Sequence, residues 1–205
     1  SEGKALGNVK IMDGKTKNMV MTGMTALCLI LGIMGVMGDS WLVSEGDDES
    51  PDANYSLTAV HQDAESTEMC AFMSGLAGGE CDGSMWSMTF SDLCDASDDE
   101  EMCDMATGGT IGTIGMWAGV VCALIMTLSL ALPMAGVDAM DAVPEMVNKI
   151  AMWGAGGLML VGMLGWYVML GDGDSEMGIH VWMAGAAMSL GLGAAAISQF
   201  IEADE

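Results

Sequence analysis

TIGTIGMWAGVVCALIMTLSLAL, residues 110–132, is the stretch on which the reading of this chain turns. It holds no Asp, Glu, Lys or Arg. A helix of ~20 residues crosses a hydrocarbon core ~30 Å thick, so this segment is long enough to span one. A surface helix of a soluble domain carries a polar stripe, whereas here only Thr, Ser, Gly and Cys interrupt the apolar side chains, on every face. Residues 18–38, 150–170 and 179–201 share these properties. Four transmembrane helices are therefore expected, separated by segments 1–17, 39–109, 133–149, 171–178 and 202–205. The expected fold is an all-α membrane protein: a four-transmembrane-helix bundle carrying a small, disulfide-stapled, β-rich extracellular loop domain.

Orientation is read from the basic residues, which are retained on the cytoplasmic side. Lys4, Lys10, Lys15 and Lys17 precede the first run and Lys149 lies in the second connection; there is no Arg. With four helices threading alternately, all five fall on one side. The N-terminal segment 1–17, the 133–149 loop and the tail 202–205 are thus expected to be cytoplasmic, in a multi-pass protein of the cell membrane. Loops 39–109 and 171–178 then face outward and hold 21 of the 29 acidic residues, in a chain of net charge −24. Trp41, Trp117, Trp166, Tyr167 and Trp182 fall near the outer boundary and Trp153 near the inner one, where amphipathic rings anchor at headgroup level. Lys15 and Lys17 followed by an apolar run ending in Val36-Met37-Gly38 also resemble a cleaved signal sequence. The run exceeds an ordinary h-region, and a retained signal anchor is the simpler expectation.

The outer loop contains Cys70, Cys81, Cys94 and Cys103, while Cys28 and Cys122 lie within the helices as small apolar side chains. An oxidising compartment favours disulfides, and four cysteines allow three pairings. The nearest-neighbour arrangement, Cys70 with Cys81 and Cys94 with Cys103, would close two short hairpins; the crossed arrangements stay open. Zinc ligation would need closer spacing than any pair here offers. Trp86, Met88 and Phe90 alternate with smaller or polar residues across 84–90, which predicts a strand. Residues 55–61 form a second candidate strand. The acidic stretches 45–51 and 98–101 are expected to be solvated turns.

Trp41 at the start of the large loop, Gly83-Ser-Met-Trp86, and Cys94-x8-Cys103 form a pattern. Combined with four helices and one large and one short outer loop, it resembles the claudin superfamily, which includes peripheral myelin protein relatives and calcium-channel gamma subunits. Their pattern is Trp, Gly-Leu-Trp, then a cysteine pair. Met85 replaces the Leu here, seven residues rather than two separate Trp86 from Cys94, and Cys70 and Cys81 are additional. The resemblance implies a left-handed four-helix bundle bearing an extracellular sheet whose Cys94–Cys103 bridge ties adjacent strands. It also implies lateral assembly, adhesion or modulation of a larger complex.

Within the helices, Gly115-x3-Gly119, Gly185-x3-Ser189-x3-Gly193 and Gly32-x2-Gly35 permit close backbone approach, the way helices associate in lipid. Some of these must close the bundle, and the surplus would suit neighbouring subunits. No Asp, Glu, Lys or Arg lies inside the four runs, which argues against ion-coupled transport. His180, at the outer end of the fourth run, reads as an interfacial hydrogen-bonded group. No Cys-x-x-Cys, Gly-x-Ser-x-Gly, His-Glu-x-x-His or phosphate-cradling loop occurs, so no enzyme is expected. Met159-x3-Met163 has the spacing of Cu(I)-binding thioethers, but 24 methionines make such spacings common, and Met fills cores well. Asp95, Asp98, Asp99, Glu100 and Glu101 offer hard oxygen ligands for Ca²⁺ or Mg²⁺ outside any EF-hand register. No other cofactor, small-molecule substrate or nucleic-acid partner is suggested. The expected function is a non-enzymatic structural, adhesion or accessory subunit that assembles laterally with itself or with a larger membrane complex. A cation-binding or permeation element using the acidic loop is the alternative.

Overall fold

The structure, a computed structural model, describes residues 13–45, 52–97, 99–137, 144–170 and 175–201. Its elements run α1 (Gly14–Val36), β1 (Leu42–Ser44), β2 (Ala53–Tyr55), β3 (Ala59–Asp63), α2 (Thr67–Ala77), β4 (Glu80–Asp82) and β5 (Met85–Thr89). After these come α3 (Phe90–Ser97), α4 (Glu100–Met134), α5 (Glu145–Val168), β6 (Glu176–Met177) and α6 (Ile179–Phe200). Helices α1, α4, α5 and α6 are long and apolar enough to cross a membrane.

The helix boundaries follow from their caps. Asp13 accepts the Thr16 N–H at 2.8 Å and caps α1, and these bonds to Thr16 hold its carboxyl below the usual carboxylate range. Asp99 caps α4 by accepting the Glu101 N–H at 3.1 Å, and Glu100 and Glu101 occupy the first turn, where negative charge complements the helix dipole. Of the expected solvated turn at 98–101, Glu100 and Glu101 are therefore helical, and Asp98 lies outside the described residues. With 35 residues, α4 is about 52 Å long at ~1.5 Å per residue, well beyond a ~30 Å core. It starts ten residues ahead of the expected 110, so its first three turns extend past the apolar stretch into the domain formed by the loops.

In the bundle α1 packs on α4 and α6, and α5 packs on the same two helices. Glycines set the closest approaches. A Cβ on Gly115 would lie 2.5 Å from the Gly162 Cα, and one on Gly35 would lie 3.2 Å from the Ala184 backbone nitrogen. Gly32 and Gly119 both make room for Met159, which is fully buried. The start of α1 and the end of α6 meet at one end of the bundle, where the Lys17 ammonium donates to the carbonyls of Ser198 and Ile201 at 3.2 and 2.5 Å. The sheet joins the chain at the other end.

That sheet is antiparallel, ordered β4-β5-β3-β2-β1-β6. Its last strand comes from the short second loop, with Leu42 opposite Met177. On β5 the expected alternation holds: Trp86 and Met88 are buried, and Phe90 is buried where α3 begins. Residues 55–61 are not one strand. Ser56 turns the chain, its hydroxyl accepting the N–H groups of Thr58 and Ala59 at 3.3 and 3.0 Å, and β2 and β3 form a hairpin around it. Gly83 opens the two-residue β4–β5 turn at φ +65, the left-handed conformation such hairpins require.

Two disulfides staple this domain, Cys70–Cys81 and Cys94–Cys103. They do not close the expected hairpins. The first ties α2 to β4, and the second ties α3 to the first turn of α4 rather than joining adjacent strands. The loop is helical around three of its four cysteines, because Ser66 and Asp99 supply N-caps that start helices there. Cys28 and Cys122 are free thiols in the bundle.

Candidate functional site

Sheet and bundle meet at Trp41. Two residues past the cap of α1 the chain reverses, and the indole is driven back beneath that helix end, where it is fully buried. Its Nε1–H donates at 2.7 Å to the carbonyl of Gly35 in the last turn of α1, which otherwise takes only a long bond from the Gly38 N–H at 3.4 Å among the described residues. The Trp166 ring meets it edge-on, with centroids 4.9 Å apart and planes at 73°. The backbone of Trp41 is held as well, its N–H donating to the Tyr55 carbonyl at 2.7 Å and its carbonyl accepting the Gly178 N–H at 2.8 Å. Trp41 and Trp166 are thus core residues, not interfacial anchors; the ring contact draws both inward, and the bond to the Gly35 carbonyl fixes Trp41. Tyr167 and Trp182 at the same end, Trp117 midway along α4, and Trp153 toward the other end are exposed on the helix surfaces.

Around this plug the fit is close. A Cβ on Gly109 would reach the Leu57 carbonyl, so the β2–β3 turn rests directly on the α4 backbone. The His180 ring lies against Gly38, and its Nδ1 accepts the Ser40 N–H at 3.2 Å. Leu42, Tyr55, Phe90 and Trp166 surround a cavity of about 10 Å³ at the junction, room for one water at most. Tyr55 and Phe90 stack with centroids 6.4 Å apart, linking this core to a second one under the sheet. Trp86 belongs to that second core, donating Nε1–H to the Gly78 carbonyl at 2.8 Å. The three aromatic and glycine members of the motif are therefore apart: Trp41 plugs the bundle, Trp86 fills the outer core, and Gly83 makes a turn.

The expected acidic ligands are not gathered into a site. Asp99 is engaged as a helix cap, Glu100 and Glu101 follow it on α4, Asp95 lies on α3, and Asp98 is outside the described residues. Among the described residues no group of three or more His, Cys, Asp or Glu is placed to hold a metal ion.

Two faces stand uncovered. On α6, a Cβ at Gly185 would find only the end of Met163 at 4.0 Å, whereas one at Gly193 would press on the Met24 methyl at 2.7 Å. Ser189 between them is exposed. The Gly185–Ser189 part of this α6 face is thus open, whereas Gly193 is covered by Met24, and the opposite stripe of α6, with Ala184 and Gly191, is filled by α1 and α5. On α2, capped by Ser66, the side chains Met69, Phe72 and Leu76 line one stripe at 44%, 62% and 72% exposure. The sequence reading missed this helix, although Ser66 ahead of apolar residues at 69, 72, 73 and 76 is a helix signature.

No protein-family model matches the chain, and no curated protein is similar to it.

Proposed function

We propose that this chain is a multi-pass membrane protein that acts as a non-enzymatic structural, adhesion or accessory subunit, assembling laterally with itself or with a larger membrane complex. The carrying observation is the apolar stripe of Met69, Phe72 and Leu76 on α2. Apolar side chains facing lipid need no partner. These three belong to a loop domain with eighteen acidic residues and no Lys or Arg across 39–109, and an apolar stripe on so charged a surface marks an interaction site. The open Gly185–Ser189 face of α6 supplies a second contact of the kind helices use within lipid. In this reading α1, α4, α5 and α6 cross the cell membrane, both termini are cytoplasmic, and the sheet lies outside. The claudin superfamily is the proposed relationship, on the layout of the chain and on Trp41, Gly83, Trp86, Cys94 and Cys103.

Cross-linking in native membranes tests the proposal. The wild-type chain is expected to give a defined oligomer or a co-purifying partner. Phe72→Asp with Leu76→Asp, or Gly185→Leu with Ser189→Leu, should abolish that species without lowering the unfolding temperature. A chain that stays monomeric under all conditions would contradict the proposal.

The density of carboxylates favours a second reading, cation binding by the acidic domain. Divalent ions at millimolar concentration would stabilise it by bridging carboxylates, which screening by monovalent salt cannot reproduce. Thermal unfolding in Ca²⁺, Mg²⁺ or Na⁺ at matched ionic strength, repeated with Asp98, Asp99, Glu100 and Glu101 amidated, decides it. Equal effects of all three ions dispose of it.

A further inference from the structure

At the end of the bundle remote from the sheet, α5 and α6 part around a groove of about 390 Å³ lined by Lys149, Met152, Trp153, Ser198 and Gln199. The volume is in the range of small-molecule sites. Its two rims differ in chemistry. Met152 and Trp153 make an apolar wall two turns into α5, with Trp153 turned outward at 46% exposure. Lys149, Ser198 and Gln199 supply an ammonium, a hydroxyl and an amide at the mouth.

Positive charge converges here from three sources. Lys149 is one. Lys17 reaches across from α1 and is bonded to the backbone of Ser198, a lining residue. The start of α5 is the third: the Val147 N–H is taken by the Pro144 carbonyl at 2.9 Å, but no side chain caps this end, where the helix dipole is positive. Against this stand, among the described residues, Glu145, paired with Lys149 at 2.8 Å with both side chains exposed, and the negative C-terminal end of α6, whose Ser198 and Ile201 carbonyls engage Lys17. An exposed i,i+4 pair of this kind is weak and exchangeable.

We infer that this groove binds the phosphate of an anionic phospholipid, with Lys149, Ser198 and Gln199 around the headgroup and the acyl chain laid along Met152 and Trp153. A soluble phosphate would use the charged rim equally well but would leave the apolar wall unfilled, and that wall is the reason for choosing the lipid. The inference rests on the membrane reading above. It adds a lipid selectivity that the net charge of −24 would not suggest, since the chain as a whole repels anionic surfaces.

The test uses full-length protein in nanodiscs of phosphatidylcholine alone or with phosphatidylglycerol, read by native mass spectrometry of retained lipid and by quenching with brominated phosphatidylglycerol. Wild type should retain phosphatidylglycerol preferentially, and Trp153→Phe should remove part of the quenching. A Lys near a membrane surface contributes ~1 kcal/mol toward anionic lipid, so Lys149→Gln should lower the preference about fivefold. Glu145→Gln, which frees Lys149, should raise it. Inorganic phosphate at millimolar concentration should displace little lipid. Incorporation into both nanodiscs without preference, or a Lys149→Gln variant indistinguishable from wild type, overturns this inference and leaves the membrane reading standing. Displacement of the lipid by inorganic phosphate identifies a soluble-anion site and also overturns it. Failure to enter either nanodisc overturns both.

Discussion

Replacing Trp41 measures how far the outer sheet and the bundle depend on one another. Its indole is fully buried, donates to the Gly35 carbonyl and meets Trp166 edge-on. Truncation of a buried Trp costs ~3–5 kcal/mol. Trp41→Phe keeps most of the volume but loses the N–H donor, worth ~0.5–1.5 kcal/mol, and disturbs an aromatic pair worth about the same, so about 1–3 kcal/mol is expected. Trp182 is the control, because it lies on the same end of the bundle at 66% exposure; Trp182→Ala should change stability by no more than ~0.5 kcal/mol. The assay is equilibrium unfolding in detergent, following near-ultraviolet dichroism for tertiary packing and far-ultraviolet dichroism for the helices. Both signals should shift in Trp41→Ala, because the plug links the two parts. If Trp41→Ala is no less stable than Trp182→Ala, Trp41 is an interfacial anchor after all and the junction described above is wrong.

Other consequences follow from the staples and the glycines. Removing Cys70–Cys81 by double substitution to Ser should cost ~2–5 kcal/mol and expose the sheet to proteinase K while the helices stay inserted; trypsin would not report it, since residues 39–109 hold no Lys or Arg. Intact mass of the native chain should show two free thiols, and six would remove both bridges from the account. Gly115→Val drives a side chain into the Gly162 backbone and should separate α4 from α5, seen as loss of thermal stability, whereas Gly157→Ala, with nothing within 4 Å, should be neutral.

The long helices were readable because each is a charge-free run long enough to span a membrane, and β5 was readable from the two-residue alternation of Trp86 and Met88. What lay beyond reach was decided by distant or very short features. The pairing of β6 with β1 joins residues 42 and 177 through a two-residue strand, which no local pattern announces. Ser56 breaks 55–61 with a single hydroxyl, and without it the apolar spacing reads as one strand. The early start of α4 was hidden by its acidic first turn: Asp99, Glu100 and Glu101 look like a solvated run until their position ahead of the apolar stretch identifies them as a cap. Trp41 and Trp166 were placed at the correct end of the bundle, but sequence could not distinguish a ring facing lipid from a ring beneath a helix terminus. The α6 stripe was legible as spacing, yet only the packing of Gly115 on Gly162 and of Gly35 on Ala184 showed which stripes are already filled.

The central claim, that four helices cross a membrane with the sheet on one side and both termini on the other, is tested most directly by cysteine accessibility in intact cells. In a background with Cys28→Ala and Cys122→Ala, single substitutions Asp52→Cys and Ser175→Cys should react with a membrane-impermeant maleimide. Gly14→Cys and Ala139→Cys should react only after the cells are permeabilised. Labelling of Gly14→Cys in intact cells would reverse the orientation, and labelling of all four would show that the helices do not span a membrane at all.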